Sequence, residues 1–142
     1  MRIYQVEAIT PEFVQAVMQL IPQLSLRAAL PTAEQLQQVV DSSTARLFAA
    51  QEQGRMVGML TLAWYETPTG RRAWIEDVVV DELMRGRGIG RALLHEAMAA
   101  AQELRVSSLS LTSAPTRVAA RKLYVEEGFE IYNTTVYKYK AQ

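Results

Sequence analysis

The chain of 142 residues contains no cysteine and a single histidine, His95. The absence of cysteine excludes disulfides, thiolate metal ligands and a cysteinyl acyl-enzyme. One histidine is too few for a histidine-based metal site, and it argues against a Ser-His-Asp triad. We therefore expect chemistry that uses no metal.

The chain also lacks an excess charge of either sign and a long apolar run. Fifteen Lys and Arg residues balance fifteen Asp and Glu residues, so no overall field favours a nucleic-acid partner. No apolar run approaches the ~20 residues that span a bilayer, and the first residues do not resemble a signal peptide. We expect a cytoplasmic protein with no membrane partner, folded as a single domain over residues 1–142.

Periodicity and turn signals predict a mixture of helices and strands, hence an α/β (α+β mixed) fold. Thr10-Pro11 marks one helix start, and Thr32 with Gln35 has the pattern of a capping box for a second helix. Residues from Pro22 to Pro31 are predicted to link these helices. The remaining helices are expected at 88–104 and 118–127, and the strands at 2–8, 44–50, 55–65, 73–80, 106–111, 129–132 and 135–140.

A glycine- and arginine-rich segment directly follows the strand predicted at 73–80 and opens the next helix. It reads Arg85, Gly86, Arg87, Gly88, Ile89, Gly90 and Arg91. Glycine lets the backbone approach a ligand closely, and a helix N-terminus presents unpaired N–H groups with a partial positive charge. The segment therefore predicts a site for phosphate or pyrophosphate.

The spacing of this segment excludes two common phosphate sites. No Lys-Ser or Lys-Thr follows, as a P-loop requires, and Arg91 stands where a dinucleotide fingerprint has its third glycine. Arg85, Gly88 and Gly90 instead match the pattern Arg/Gln-x-x-Gly-x-Gly/Ala. This resembles the pyrophosphate-binding segment of the GNAT superfamily of acetyl-CoA-dependent N-acetyltransferases.

A second segment, residues 111–139, is similar to the closing region of the same superfamily, with Leu123-Tyr124 and Gly128-Phe129 at the family's spacing. The two segments together cover about half of the chain. The resemblance implies the GNAT fold, a mixed and mainly antiparallel central sheet of six to seven strands flanked by about four helices. It also implies acetyl-CoA as co-substrate and an amine as acceptor.

The resemblance further implies roles for particular residues. The backbone of Val78, Val79 and Val80 would pair with the pantetheine arm, and the segment 85–91 would bind the pyrophosphate. Tyr124 would be the general acid that protonates the coenzyme A sulfur, although a packed core tyrosine is the structural alternative. Arg117 stands where many members have an asparagine, so it either makes a different cofactor contact or marks a lost one.

The acceptor amine needs a base, because most amines are protonated at neutral pH. Glu76 and Asp77 are the candidates, with Glu76 favoured because it is expected to share a strand face with Trp74 and Val78. A structural salt bridge is the alternative for Glu76. The surrounding WIEDVVVD segment resembles the glucosamine-phosphate N-acetyltransferase branch, in which this acidic pair touches the acceptor, so Asp77 and Trp74 are candidate acceptor contacts.

Aromatic residues on neighbouring strands, Trp64, Tyr65 and Trp74, are expected to cluster, either as a wall of the acceptor pocket or as core. The leading hypothesis is direct acetyl transfer from acetyl-CoA to a primary amine of a small molecule or peptide, in a ternary complex. A non-catalytic acyl-CoA-binding or interaction module with the same fold is the alternative. A phosphate or nucleotide site unrelated to coenzyme A is a third. The family makes a homodimer plausible.

Overall fold

A computed structural model describes residues 1–141 of the chain. These residues divide into two compact units, 1–111 and a second unit that begins at Thr112, and each is described by itself. Among the described residues, the first unit holds a five-stranded sheet and three α-helices, and the second holds one α-helix followed by a tail, residues 129–141, without helix or strand.

In the first unit the elements are β1 (Arg2–Gln5), α1 (Pro11–Leu24), α2 (Ala33–Asp41), β2 (Ala45–Glu52), β3 (Arg55–Thr67), β4 (Gly70–Val80), a 3₁₀ turn (Glu82–Met84), α3 (Ile89–Glu103) and β5 (Ser108–Ser110). In the second unit α4 spans Val118–Glu126. The strands follow the order β1-β2-β3-β4-β5, antiparallel except for the parallel pair β4-β5. The mixed, mainly antiparallel sheet with four α-helices is confirmed.

The first two helices begin where the sequence predicts. The Thr10 hydroxyl accepts a hydrogen bond from the Phe13 N–H at 3.1 Å. Thr32 and Gln35 form both bonds of the capping box, at 2.9 and 3.1 Å. The predicted end of α1 was wrong, because the helix continues through Pro22 to Leu24. Proline removes one N–H donor, but its φ is compatible with a helix, and here it falls in the last turn.

The sheet is covered on both faces. Helices α1 and α2 pack on one face, and this core contains Phe13, Val17, Leu36, Met59 and Val79 among its members. On the other face α3 buries an apolar stripe: Ile89, Leu93, Leu94, Ala97, Ala100 and Ala101. Close approach is needed there, because a Cβ on Gly58 would lie 3.2 Å from the Leu93 side chain.

The described sheet has five strands rather than the predicted six to seven, and the residues predicted as strands at 129–132 and 135–140 form none within the second unit. The alternation of the tail indicates strand propensity, but a strand also needs a neighbour that supplies hydrogen bonds. Within the second unit, residues 129–141 have no such neighbour.

The end of α4 follows its prediction. Gly128 adopts φ +96° at the C′ position, and its N–H donates to the Val125 carbonyl at 3.1 Å. The Phe129 N–H donates to the Tyr124 carbonyl at 2.9 Å, which completes a Schellman motif. Among residues 1–141 no helix combines the length and the apolar character that a bilayer crossing requires.

Candidate active site

The middle of β4 contains a β-bulge beside the predicted acidic pair. Thr61 lies opposite Glu76, but two residues earlier on β3, Met59 lies opposite Val79. The strand β4 therefore carries one more residue than β3 between these pairs. Asp77, inside the bulge, adopts φ +52°, a left-handed conformation that Asp tolerates better than most residues.

The bulge changes which face the side chains of β4 occupy. Directly opposed residues share a face, so Val79 lies with Met59 on the α1/α2 side. Ile75 lies opposite Leu62. Because Met59 and Leu62 are three residues apart on β3, Ile75 faces the other side of the sheet, toward α3.

The predicted arrangement around Glu76 is corrected by this change of face. Glu76 and Trp74 lie on the α1/α2 side together with Val79, whereas Val78 lies on the α3 side. The expectation that Trp74, Glu76 and Val78 share a face was wrong, because it assumed an unbroken alternation. Thr61, the direct cross-strand neighbour of Glu76, was not among the predicted residues, and nothing in the sequence singles it out.

The carboxyl of Glu76 has a raised pKa. The larger cause is partial burial, which disfavours the charged form, and the smaller is the neighbouring negative charge of Asp77. A structural salt bridge would lower the pKa instead. The raised pKa therefore does not fit the salt-bridge alternative for Glu76.

The predicted aromatic cluster is divided between the two faces. Trp74 and Tyr65 lie on the Glu76 side, and the indole N–H of Trp74 donates to the Tyr65 hydroxyl at 3.2 Å. Trp64 is paired with Ala73 and faces the opposite side, where the Arg46 guanidinium lies 5.6 Å from its ring centroid. Of these three aromatic residues, Trp74 and Tyr65 therefore share the face of Glu76, and Trp64 does not.

β4 is longer than its pairing with β5. Strand pairing with β5 involves three residues of β4, Arg72–Trp74. β4 continues to Val80, which lies opposite Gly58 of β3.

Several hydrogen bonds hold the turn that follows β4. The Asp81 carboxylate accepts from the Leu83 N–H at 3.0 Å, and the Gln23 side chain accepts from the Glu82 N–H at 2.8 Å. The Arg85 side chain donates back to the Val80 carbonyl at 3.3 Å. Gln23, at the end of α1, was not predicted, because a glutamine in a last helical turn has no distinguishing sequence signal.

The glycine-rich segment then opens α3 without a capping side chain. Gly86 and Gly88 both adopt φ +79°, and Gly88 is the N-cap residue. No atom lies within 4 Å of the position a Cβ would take at either glycine. Ile89 is buried and anchors the helix, whereas residues 85–88 are exposed. The first turn of α3 thus presents main-chain N–H groups and a positive dipole end beside open space, a geometry that suits phosphate.

In the second unit, Tyr124 lies on α4 and is partly buried. Its ring contacts Phe129 edge-on, with centroids 6.2 Å apart. Burial raises the pKa of the Tyr124 hydroxyl, and the positive charge of Arg117 opposes this to a smaller extent. The phenol is therefore protonated at neutral pH. Arg117 itself is the N-cap residue of α4.

The acetyltransferase (GNAT) family matches residues 13–129, and the chain belongs to this family. Membership supports acyl transfer from an acyl-CoA to an acceptor as the general activity. No curated protein matches the sequence at a significant level. The described residues contain no group of three or more His, Cys, Asp or Glu side chains arranged to hold a metal ion.

Several solved structures share the fold. A putative acetyltransferase from Agrobacterium tumefaciens str. C58 is 22% identical with a TM-score of 0.84, covering 99% of both chains. An aminoglycoside acetyltransferase, meta-AAC0020, from an uncultured soil metagenomic sample in complex with sisomicin, is 20% identical with a TM-score of 0.84, covering 99% of this chain and 95% of that one. A ribosomal-protein-alanine N-acetyltransferase from Brucella melitensis biovar Abortus 2308 is 20% identical with a TM-score of 0.77, covering 99% of both.

Proposed function

We propose that this protein transfers an acetyl group from acetyl-CoA to a primary amine of a small molecule or peptide, by direct attack in a ternary complex. The observation that carries the proposal is one continuous segment of chain. It runs from the bulged strand β4, which bears Glu76 and ends at Val80, to α3, which begins after Gly88 without a capping side chain. A carboxylate for an amine and a phosphate site for a coenzyme are thereby joined in one stretch of chain.

The residues after the bulge fit acetyl-CoA. The main-chain N–H groups of residues 87–91 would hold the pyrophosphate, supplemented by the guanidinium groups of Arg85, Arg87 and Arg91. The open space beside Gly86 and Gly88 supports this role, since any side chain there would occupy the ligand's volume. The backbone of Val78, Val79 and Val80 would run beside the pantetheine arm, beyond the three residues of β4 that pair with β5.

Acetyl-CoA supplies the acetyl group as a thioester, and the chain supplies the proton transfers. Glu76 would take a proton from the acceptor amine, directly or through water, because an amine with a pKa near ~10.4 is otherwise protonated at neutral pH. Its raised pKa brings the carboxylate closer to the range of an effective base.

Tyr124 would return a proton at the end of the reaction. As the C–N bond forms and the C–S bond breaks, the departing sulfur accepts the phenolic proton, which leaves a coenzyme thiol and an amide. The raised pKa keeps the phenol protonated until then. Arg117, whose charge acts on Tyr124, is proposed as a further contact of the cofactor.

The acceptor would meet Glu76, Asp77 and the face of Trp74. The Glu76 carboxylate on the same strand face as the Trp74 ring, with a second carboxylate at the neighbouring Asp77, would favour a cationic amine over a neutral or acidic group. Two proteins of similar structure are named for different acceptors, an aminoglycoside acetyltransferase and a ribosomal-protein-alanine N-acetyltransferase. The proposal therefore names the reacting group of the acceptor, a primary amine, and not a particular acceptor molecule.

A thiol-release assay over a panel of amines tests the proposal, with Tyr124→Phe as the diagnostic variant and Tyr4→Phe as a matched control on β1. We expect Tyr124→Phe to lose turnover by about 10²-fold or more with little change in coenzyme affinity, and Tyr4→Phe to keep full activity. Tight acetyl-CoA binding with no thiol release from any amine would instead support the non-catalytic module.

A further inference from the structure

Within the first unit, the sheet face that carries Glu76 changes character along β3 and β4. On one side of the bulge, Val79 and its partner Met59 belong to the core under α1 and α2. On the other side, toward the β3–β4 hairpin, the paired residues do not belong to that core. These pairs are Thr61 with Glu76, Ala63 with Trp74, and Tyr65 with Arg72.

Along this face β4 presents a carboxylate, an aromatic ring and a guanidinium in sequence. Glu76, Trp74 and Arg72 alternate with residues of the opposite face, so they stand in one row. The indole N–H of Trp74 donates to the Tyr65 hydroxyl at 3.2 Å, which holds the two rings together in the middle of the row. Ala63, opposite Trp74, adds little bulk there. The row is therefore negative at one end, aromatic in the middle and positive at the other end.

The guanidinium of Arg72 retains donors for an anion. Its Nη2 donates to the Thr69 hydroxyl in the hairpin turn at 2.8 Å, and a guanidinium has several further N–H donors. Its neighbour Arg71 is engaged differently, in an ion pair with Glu66 and a 2.8 Å hydrogen bond to the Leu104 carbonyl. Within the first unit, Arg72 has no such carboxylate partner.

We propose that this row binds the acceptor, and that the acceptor carries an anionic group, a carboxylate or a phosphate, as well as its amine. The inference rests on the proposed function, in which Glu76 meets the amine. Arg72 binds the anion, since a guanidinium matches carboxylate and phosphate oxygens bidentately. Trp74 and Tyr65 contact the apolar chain between the two charged groups.

The spacing of the row sets the length of this acceptor. Glu76 and Arg72 are four residues apart on a regular stretch of strand, which separates their Cα atoms by roughly 13 Å. Charge-assisted hydrogen bonds of ~2.8 Å at each end leave about 7 Å between the amine and the anion of the acceptor. An amino acid or amino phosphate with its amine at the far end of a short alkyl chain has this spacing.

Thiol-release assays with matched acceptors test the inference. ε-Aminocaproate and aminohexyl phosphate carry an anion at about the required distance, and ε-aminocaproamide has the same chain without the charge. We expect kcat/KM for the two anionic acceptors to exceed that for the amide about tenfold in the wild type. The values for carboxylate and phosphate show which anion the site prefers. Equal kcat/KM for all three acceptors would overturn the inference.

Arg72→Gln is the diagnostic variant, because it removes the charge and keeps a polar side chain. The preference for the anionic acceptors should disappear, whereas kcat/KM for the amide should stay within about twofold of the wild type. Arg55→Gln, at the exposed start of β3, is the matched control and should keep the full preference. An equal loss on all three acceptors in Arg72→Gln would make Arg72 a structural residue and overturn its role.

Calorimetry with the same three ligands separates this inference from acetyl transfer. Tighter binding of the anionic ligands than of the amide, lost in Arg72→Gln, would support the anion site even if no thiol were released. In that case the proposed function alone would fail. Thiol release without any preference for an anion, in binding or in turnover, would leave the proposed function standing and overturn the anion site.

Discussion

The starts of α1 and α2 differ from the segment 76–91 that leads into α3. At Thr10 and Thr32 a hydroxyl caps the first turn, and in α2 the Gln35 side chain closes a reciprocal bond. Segment 76–91 instead contains a bulge, a left-handed Asp77 and a helix that begins at a glycine without a capping bond. The helices that cover the core thus begin with the capping bonds that stabilise a first turn. Segment 76–91 lacks such bonds, and under the proposed function a ligand would supply the missing contacts.

The largest effect is expected at Glu76. Glu76→Gln keeps the shape of the side chain and removes its ability to take a proton, so kcat should fall about 10²- to 10⁴-fold. Thermal unfolding at neutral pH distinguishes this from a structural role. A raised pKa means that the ionised form is disfavoured in the folded state, so the glutamine variant should be no less stable than the wild type. A lost salt bridge would lower stability.

The pH profile of kcat/KM provides a second view of the same carboxyl. Because the pKa of Glu76 is raised, the acid limb should lie above the ordinary pKa of a glutamate, with activity falling about tenfold per pH unit below it. The limb should disappear in Glu76→Gln. The free energy of unfolding should change with pH in the opposite direction to the activity. The stabilising contribution of the protonated Glu76 carboxyl is present at low pH and is lost as the pH rises through the raised pKa.

A pair of glycine variants separates backbone strain from ligand binding. Gly88 and Gly54 have nearly the same φ, +79° and +77°, and both face open space. Either change to Ala should cost about 1–2 kcal/mol of stability, since L-residues resist this conformation. Only Gly88→Ala should also weaken acetyl-CoA binding, by about tenfold or ~1.4 kcal/mol. Equal affinities measured by calorimetry would contradict a ligand at the start of α3.

The smallest effect is expected at a capped helix. Thr32→Ala removes the hydroxyl that accepts from Gln35, which should lower the free energy of unfolding by about 1 kcal/mol. Urea denaturation measures this loss. The affinity for acetyl-CoA should stay the same, and a change in it would connect α2 to the cofactor site.

Structural features that depend on residues close together in the sequence were predicted correctly. Features that depend on a partner far along the chain were not. The caps at Thr10 and Thr32, the Gly128 end of α4 and the glycine segment before α3 follow from short-range chemistry. The bulge at Asp77 was missed because a bulge depends on the register with β3. The tail was predicted as strands from its alternation, but pairing requires an edge elsewhere, which local sequence does not specify.

The same distinction applies to the candidate site. Glu76, Trp74 and the segment 85–91 were predicted as site residues from residue type, spacing and the family resemblance, and their roles stay predictions. The shared face of Glu76 with Val79 rather than Val78 required the observed register. Gln23, which holds the turn after β4, carries a side chain found on any helix surface and could not be singled out.

The most direct test is a thermal-shift titration of the purified protein with acetyl-CoA, coenzyme A, ATP and NAD, repeated on Gly88→Ala and Gly54→Ala. We expect selective stabilisation by the two coenzyme A forms, about 2.7 kcal/mol at 100 times the dissociation constant. Gly88→Ala should weaken this response, and Gly54→Ala should not. Equal stabilisation by ATP and acetyl-CoA, or none by either coenzyme A form, would contradict an acyl-CoA site at the start of α3.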